Sequence, residues 1–283
     1  MYARFFLITL LLISVSHLTL AQKFALKTYK DFEIVEPGIL VHTKITIEDP
    51  ITPSSMYLLD SLVLIIEPNL DYAIRFYRLK DWSLVAKYGM RGDGPAEVRK
   101  PKFHGQIERS GEEIYLWFSD YRTFRMKKVS LTRMMMDEST EPELSLRIPT
   151  RLAWMYDDIY AISDDEFMGT VVGDPDEDSQ NKDAGRFFRF NMRDGSLQWV
   201  PNFPKQSLKV PKHKVGYLYS SVSSLNPKTK QIASGMQHFD RFDLVDVINN
   251  TVLTVVQEDK VEVKEVDLID DHNLLPPETR SYY

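Results

Sequence analysis

Apolar residues are distributed along this chain in short blocks, many of them alternating with polar positions, and few segments keep the three-to-four-residue spacing of an amphipathic helix. That pattern predicts a predominantly β chain. Two hairpins carry their own turn chemistry: "FDLVDVI" and "TVLTVV" meet at Asn249-Asn250, and "RFFRFNM" and "LQWV" meet at Asp194-Gly195. These residue types tolerate the positive φ that tight turns require.

The blocks repeat. "SLVLII" near Leu62, "EIYLWF" near Ile114, "EFMGTVV" near Phe167 and "QIASGM" near Ile232 follow turn-like residues at spacings of 52, 53 and 65. A second strand is expected after each. Three of these second strands share a pattern, "RFYR" at Arg75–Arg78, "RTFR" at Arg122–Arg125 and "RFFR" at Arg186–Arg189, and "DRFD" at Asp240–Asp243 is a fainter echo. The polar insert "GDPDEDSQNKDAG" lengthens the third unit. A unit of about 50 residues made of several antiparallel strands fits a propeller blade better than a shorter solenoid coil. The expected fold class is therefore all-β, a β-propeller with about four recognisable blades, and a β-sandwich is the alternative.

The stretch "SLVLIIEPN…AIRFYRLKDWSLVAKYGMRGDGPAEV" resembles the first complete blade of the TolB-like six-bladed β-propellers exported by Bacteroides and related bacteria. In that family a strand pair ends in a loop of the form G-x-G-P-x-E, matched here by Gly92, Gly94, Pro95 and Glu97. The likeness runs loosely on through "IYLWFSDYRTFRMKKVSL" and "NPKTKQIASGM". It implies a six-bladed ring, yet six such blades need roughly 300 residues. Four of six blades would leave two apolar faces in water. The propeller domain expected over residues 22–283 is thus incomplete at its C-terminal side, or closes through a partner or as a tighter ring.

The start of the chain reads as an export signal. A basic Arg4, an apolar run from Phe5 to Val15, and Thr19 and Ala21 before Gln22 have the layout of a cleavable signal peptide over residues 1–21. The apolar run is shorter than the roughly 20 residues of a membrane span. The protein is expected to be exported, to the periplasm or the cell exterior, with no membrane span after cleavage. Cysteine is absent, which excludes disulfides, thiolate metal sites, a cysteine nucleophile and a lipidated cysteine anchor. A formal charge of −6, with only Arg4 lost on cleavage, gives no electrostatic footprint for nucleic acid.

Candidate chemistry is sparse. "GMRGDGPAEV" lacks the Lys-Ser/Thr of a phosphate loop, has Glu97 where a third dinucleotide-binding glycine belongs, and loses an N–H at Pro95. It reads as a turn between blades whose glycines supply positive φ, with Arg91, Asp93 and Glu97 fixing the loop or displaying it to a partner. Asp174, Asp176 and Asp178 have the first spacings of a calcium loop, but Ser179 and Gly185 occupy the positions that need glycine and glutamate. They are weak metal candidates in a solvated acidic loop. His42, His104, His213, His238 and His272 are scattered, and no serine sits in a G-x-S-x-G elbow.

In a strand, residues three apart point to opposite faces, so each "RxxR" sends one arginine to each side. One member of each pair, Arg75 or Arg78, Arg122 or Arg125, Arg186 or Arg189, could line a shared mouth as a basic collar for an anionic ligand. Exposed arginines whose stems cover neighbouring aromatics are the plainer reading. No cofactor and no enzyme class are indicated. The expected role is non-enzymatic binding or scaffolding, with a protein, peptide or glycan at the cell envelope as partner. A propeller hydrolase or lyase with an axial metal is the alternative, and convergence of His104, His213 or His238 with acids at the axis would favour it.

Overall fold

The computed structural model describes residues 24–29, 52–137, 141–153, 156–171, 185–200, 220–237, 241–257, 268–269 and 273–274. Residues 1–21, where a signal peptide is expected, and Asp174, Asp176, Asp178, His42, His213, His238 and His272 lie outside them. Among the described residues the chain forms four antiparallel sheets of four consecutive strands each.

Sheet 1 is made of β2 (Ser55–Leu59), β3 (Leu62–Ile66), β4 (Tyr72–Arg78) and β5 (Leu84–Met90). Sheet 2 contains β6 (Pro101–Ser110), β7 (Glu113–Asp120), β8 (Arg125–Ser130) and β9 (Leu144–Arg147). Sheet 3 contains β10 (Tyr156–Ala161), β11 (Glu166–Val171), β12 (Phe187–Asn191) and β13 (Leu197–Val200). Sheet 4 contains β14 (Ser221–Asn226), β15 (Gln231–Met236), β16 (Arg241–Asp246) and β17 (Thr251–Gln257). β1 (Phe24–Tyr29) runs parallel to β17 and adds a fifth, outer strand to sheet 4. Two short helices, α1 (Leu131–Met135) and α2 (Thr150–Ala153), flank β9.

The sheets stack face to face, and strand alternation explains how. On β7, Leu116 and Phe118 pack with Leu64, Phe76 and Tyr88 of sheet 1, while Trp117 between them packs with Phe167 and Phe188 of sheet 3. On β12, Phe188 joins that second layer and its neighbour Phe187 joins Tyr160, Ile232 and Val245 in a third, between sheets 3 and 4. Strands buried on both faces are why these blocks read as continuous apolar runs. Four meandering sheets packed in sequence are a β-propeller arrangement.

Each of the four repeated blocks forms the second strand of its sheet: β3, β7, β11 and β15. Both turn predictions hold, with Asn250 at φ 50 and Gly195 at φ 71. One assignment is corrected: Arg122–Phe124 is a turn and only Arg125 begins a strand. The Asp120 carboxylate accepts from the N–H groups of Arg122 and Thr123, at 2.8 and 3.1 Å, and so closes the chain into a turn where the repeat pattern suggested a strand.

Candidate functional site

The first strands of sheets 2, 3 and 4, β6, β10 and β14, approach one another directly, and the axis between them is filled with polar side chains. Both ladders are interrupted there. Pairing of β6 with β7 shifts between Phe103 and Ile107, around Gly105 at φ 74, and pairing of β10 with β11 shifts between Tyr156 and Ile159. Bulges of this kind re-aim side chains out of the ladder. Here they turn His104 and Gln106 towards β10, and Asp157 and Asp158 back towards β6.

Three side chains of β6 are joined laterally to β10. Lys102 Nζ lies 3.1 Å from Asp157 Oδ1 and 2.9 Å from Asp158 Oδ1. His104 Nδ1 lies 3.0 Å from Asp158 Oδ1, and its Nε2 lies 2.7 Å from Ser119 Oγ on β7. Gln106 donates to the Ala161 carbonyl at 2.6 Å and accepts from its N–H at 2.8 Å. From β14, Ser223 donates its hydroxyl and its N–H to Asp158 Oδ2, at 2.6 and 3.2 Å. Asp158 therefore has two donors on each oxygen.

Burial pushes the His104 imidazole below its ordinary value, against the opposing hydrogen bond and charge of Asp158, so the ring is neutral at pH 7. Burial alone would raise Asp158, but the His104 hydrogen bond, the Lys102 charge and the Ser223 hydrogen bond outweigh it and hold the carboxyl below the usual range. The ionised carboxylate only accepts, which assigns the ring proton to Nδ1 and leaves Nε2 to accept from the Ser119 hydroxyl. Ser119, His104 and Asp158 are thus linked as in a Ser-His-Asp relay. The relay is enclosed: Ser119 is 0% exposed and the His104 side chain 1%. Sequence spacing carried no sign of it, because its members sit on three strands and meet only through the two bulges. Among the described residues no group of three His, Asp or Glu is arranged to hold a metal ion.

The G-x-G-P-x-E loop joins β5 to β6, as expected of a connection between blades. Of the three glycines in "GMRGDGPAEV", Gly89 has the expected positive φ, at 74, whereas Gly92 and Gly94 do not. The Glu97 carboxylate folds back onto them and accepts from the Gly94 N–H at 2.7 Å, and a Cβ on Gly92 would stand 1.9 Å from Glu97 Oε2. Lys127 of β8, buried, donates to the Glu97 carbonyl and ties the loop to sheet 2. Burial lowers the Lys127 ammonium to about 8, against the nearby charge of Asp120.

Asp120 draws this loop to the following turn. Its buried carboxylate accepts from the N–H groups of Arg99 and Lys100, at 2.7 and 3.2 Å, as well as from those of Arg122 and Thr123. The side chains of Arg99, Lys100 and Arg122 are exposed on this rim, and so are Arg91 and Asp93 of the loop. Asp93 pairs with Arg99 at 2.7 Å.

Of the residues singled out in the sequence, Arg91, Asp93, Glu97 and Arg122 are therefore brought to one rim. Arg75 is half-buried on β4 opposite Ile65 and Lys87, and Arg186 is buried between sheets 3 and 4, 1% exposed. Arg186 pairs with Asp243, which also takes Arg241 at 3.2 Å and the Thr254 hydroxyl at 2.5 Å. Arg75, Arg122 and Arg186 thus stand in three different surroundings, and Arg78, Arg125 and Arg189 bond to Asp81, Ser145 and Glu166 respectively.

Four meandering sheets and a side-chain-filled axis define the chain as a β-propeller. No family model matches the sequence, and no curated protein matches it. Solved structures do. A Bacteroides fragilis protein described as exported superposes with a TM-score of 0.52 at 12% identity, covering 83% of this chain and 60% of its own. A DUF4221 family member from Bacteroides vulgatus superposes with a TM-score of 0.47 at 12% identity, covering 73% of this chain and 58% of its own. A β-propeller domain from Myceliophteria thermophila gives 0.34 at 9% identity, over 72% and 57%. The chain thus spans less than two thirds of the length of the structures it matches. Among the described residues no helix is long and apolar enough to cross a membrane.

Proposed function

We propose that the protein is an exported propeller of the six-bladed, TolB-like kind that binds an anionic surface, an acidic stretch of protein, peptide or glycan at the cell envelope, without transforming it. The observation that carries this reading is the Asp120 clasp, which spends one buried carboxylate on gathering the backbones of Arg99, Lys100 and Arg122 and leaves their side chains in solvent. Exposed guanidinium groups on a fixed backbone suit carboxylate or sulfate recognition. Calorimetric titration with oligogalacturonate and with a polyglutamate peptide tests it. Binding should weaken with salt, and Arg99→Ser with Arg122→Ser should lower affinity about tenfold or more, roughly 1.4 kcal/mol. No binding to either probe, or binding unchanged in the double variant, rejects the reading.

One observation favours a second reading, a serine hydrolase: the 2.7 and 3.0 Å spacings of Ser119, His104 and Asp158. Attack on a substrate would require Ser119 to be reached, and its enclosure argues for a clasp between sheets instead. Covalent capture of Ser119 by a fluorophosphonate probe would reverse that preference.

A further inference from the structure

The outward face of sheet 4 repeats the apolar pattern that fills every space between the other sheets. Two cross-strand rows run over it: Val222, Gly235, Phe242 and Val255, then Ser224, Ala233, Leu244 and Leu253. Neither row contains a charge, and the third row of the face, Asn226, Gln231, Asp246 and Thr251, is polar. The equivalent face of sheet 3, with Met168 and Phe187, is buried against sheet 4, whereas Val222 is 69% exposed and Phe242 39%.

With β1 included, the five-stranded face of six residues per strand covers only about 480 Å², from about 4.8 Å strand separation and about 3.3 Å rise. Doubled, that falls below the roughly 1,200 Å² of a stable complex between separate chains. Such a face suits an occupant tethered to it, for which linkage raises the effective concentration.

The chain supplies one at the expected distance. Ten residues separate β5 from β6, eight separate β9 from β10 and twenty separate β13 from β14, and the ten between β17 and the next strand, β18 (Leu268–Ile269), which pairs antiparallel with β19 (Asn273–Leu274), fall within that range. Leading hairpins of the earlier sheets carry an apolar cross-strand pair against the preceding sheet: Ile107 with Leu116, Ala161 with Phe167, Leu225 with Ile232. In β18 and β19 the corresponding register pair is Leu268 with Leu274.

We infer that the face bearing Val222 and Phe242 is the docking surface for this chain's own β18–β19 hairpin, which acts as the first strand pair of a fifth blade. Amide hydrogen exchange on the full chain tests it, comparing wild type with Phe242→Asp and with Val222→Asp. Residues 268–274 should exchange at least about tenfold more slowly than a free peptide in the wild type and lose that protection in both variants, while β3, β7 and β11 keep theirs. Free-peptide rates in the wild type, or protection that survives both substitutions, would overturn the inference. So would a concentration-dependent dimer in sedimentation that the same substitutions abolish, since the occupant would then be a second copy. A variant that also loses protection in β7 is globally destabilised, and the more exposed Val222 then decides the outcome.

Discussion

The Glu97 carboxylate occupies the space that a side chain on Gly92 would need, with Oε2 1.9 Å from the position of a Cβ there. Gly92→Ala must therefore expel the carboxylate from its hydrogen bond to the Gly94 N–H. The expected cost is about 0.5–1.5 kcal/mol, that of losing one half-buried hydrogen bond as the flexible Glu97 side chain swings away. Glu97→Ala removes the clash along with the bond, so the double variant should be less destabilised than the two single costs added together. Urea denaturation of the four proteins measures the coupling. Additive costs would show that the contact is incidental.

Acid should weaken the axis in a defined window. His104 is held below 6.5 in the fold, so between 6.5 and its folded value the unfolded chain binds the extra proton and stability falls as pH falls. Asp158, also held low, adds a loss below 3.8 as pH falls towards its folded value. Asp157 works the other way, because burial raises it and its contribution is greatest in acid. Among the described residues, the loss that sets in just below pH 6.5 comes from His104. His104→Gln should remove it, and a loss that persists in the variant assigns it elsewhere.

How much of this was legible in the sequence depends on the range of the interaction. The repeat of "SLVLII", "EIYLWF", "EFMGTVV" and "QIASGM" identified the second strand of all four sheets, because burial on both faces writes itself into contiguous apolar residues. The Arg122–Arg125 repeat misled, since one carboxylate at Asp120 outweighed a local strand pattern. His104 was one of three histidines named for a possible meeting with acids at the axis, and it does meet Asp158 there, but nothing local in the sequence set it apart from His213 and His238. Its partners Ser119 and Asp158 lie 15 and 54 residues away, and the bulges that aim them have no fixed sequence mark. Gly92 and Gly94 were recognisable as a motif, yet their reason, room for a carboxylate, is a contact rather than a backbone preference.

Alkali gives an opposite test at Lys127. Its ammonium titrates near 8 in the fold and near 10.5 unfolded, so across that interval the unfolded chain binds the extra proton and stability rises with pH. Buried Tyr88, Tyr121, Tyr156 and Tyr160 have raised values and pull stability down only above about pH 10, where unfolded tyrosine ionises. Lys127→Met should remove the rise between pH 8 and 10. At pH 7 the same substitution leaves the Glu97 carbonyl without its donor, and faster amide exchange in residues 91–98 is the expected trace.

Arg186 separates holding the fold from binding a ligand. Its guanidinium and that of Arg241 share the Asp243 carboxylate, which is 0% exposed, so no acidic ligand reaches Arg186 without parting sheets 3 and 4. Arg186→Ala strips one of two cations from a buried carboxylate. Breaking such a pair costs about 3–5 kcal/mol, and the remaining Arg241 places the expectation at the lower end. Arg186→Lys should restore part of that stability, since it returns the charge without the planar fork. Neither variant should alter the titration with oligogalacturonate or polyglutamate under conditions where it stays folded, whereas Arg122→Ser should weaken it with little change in melting temperature. A loss of binding in folded Arg186→Lys would return this arginine to the ligand site and displace the rim formed around Asp120.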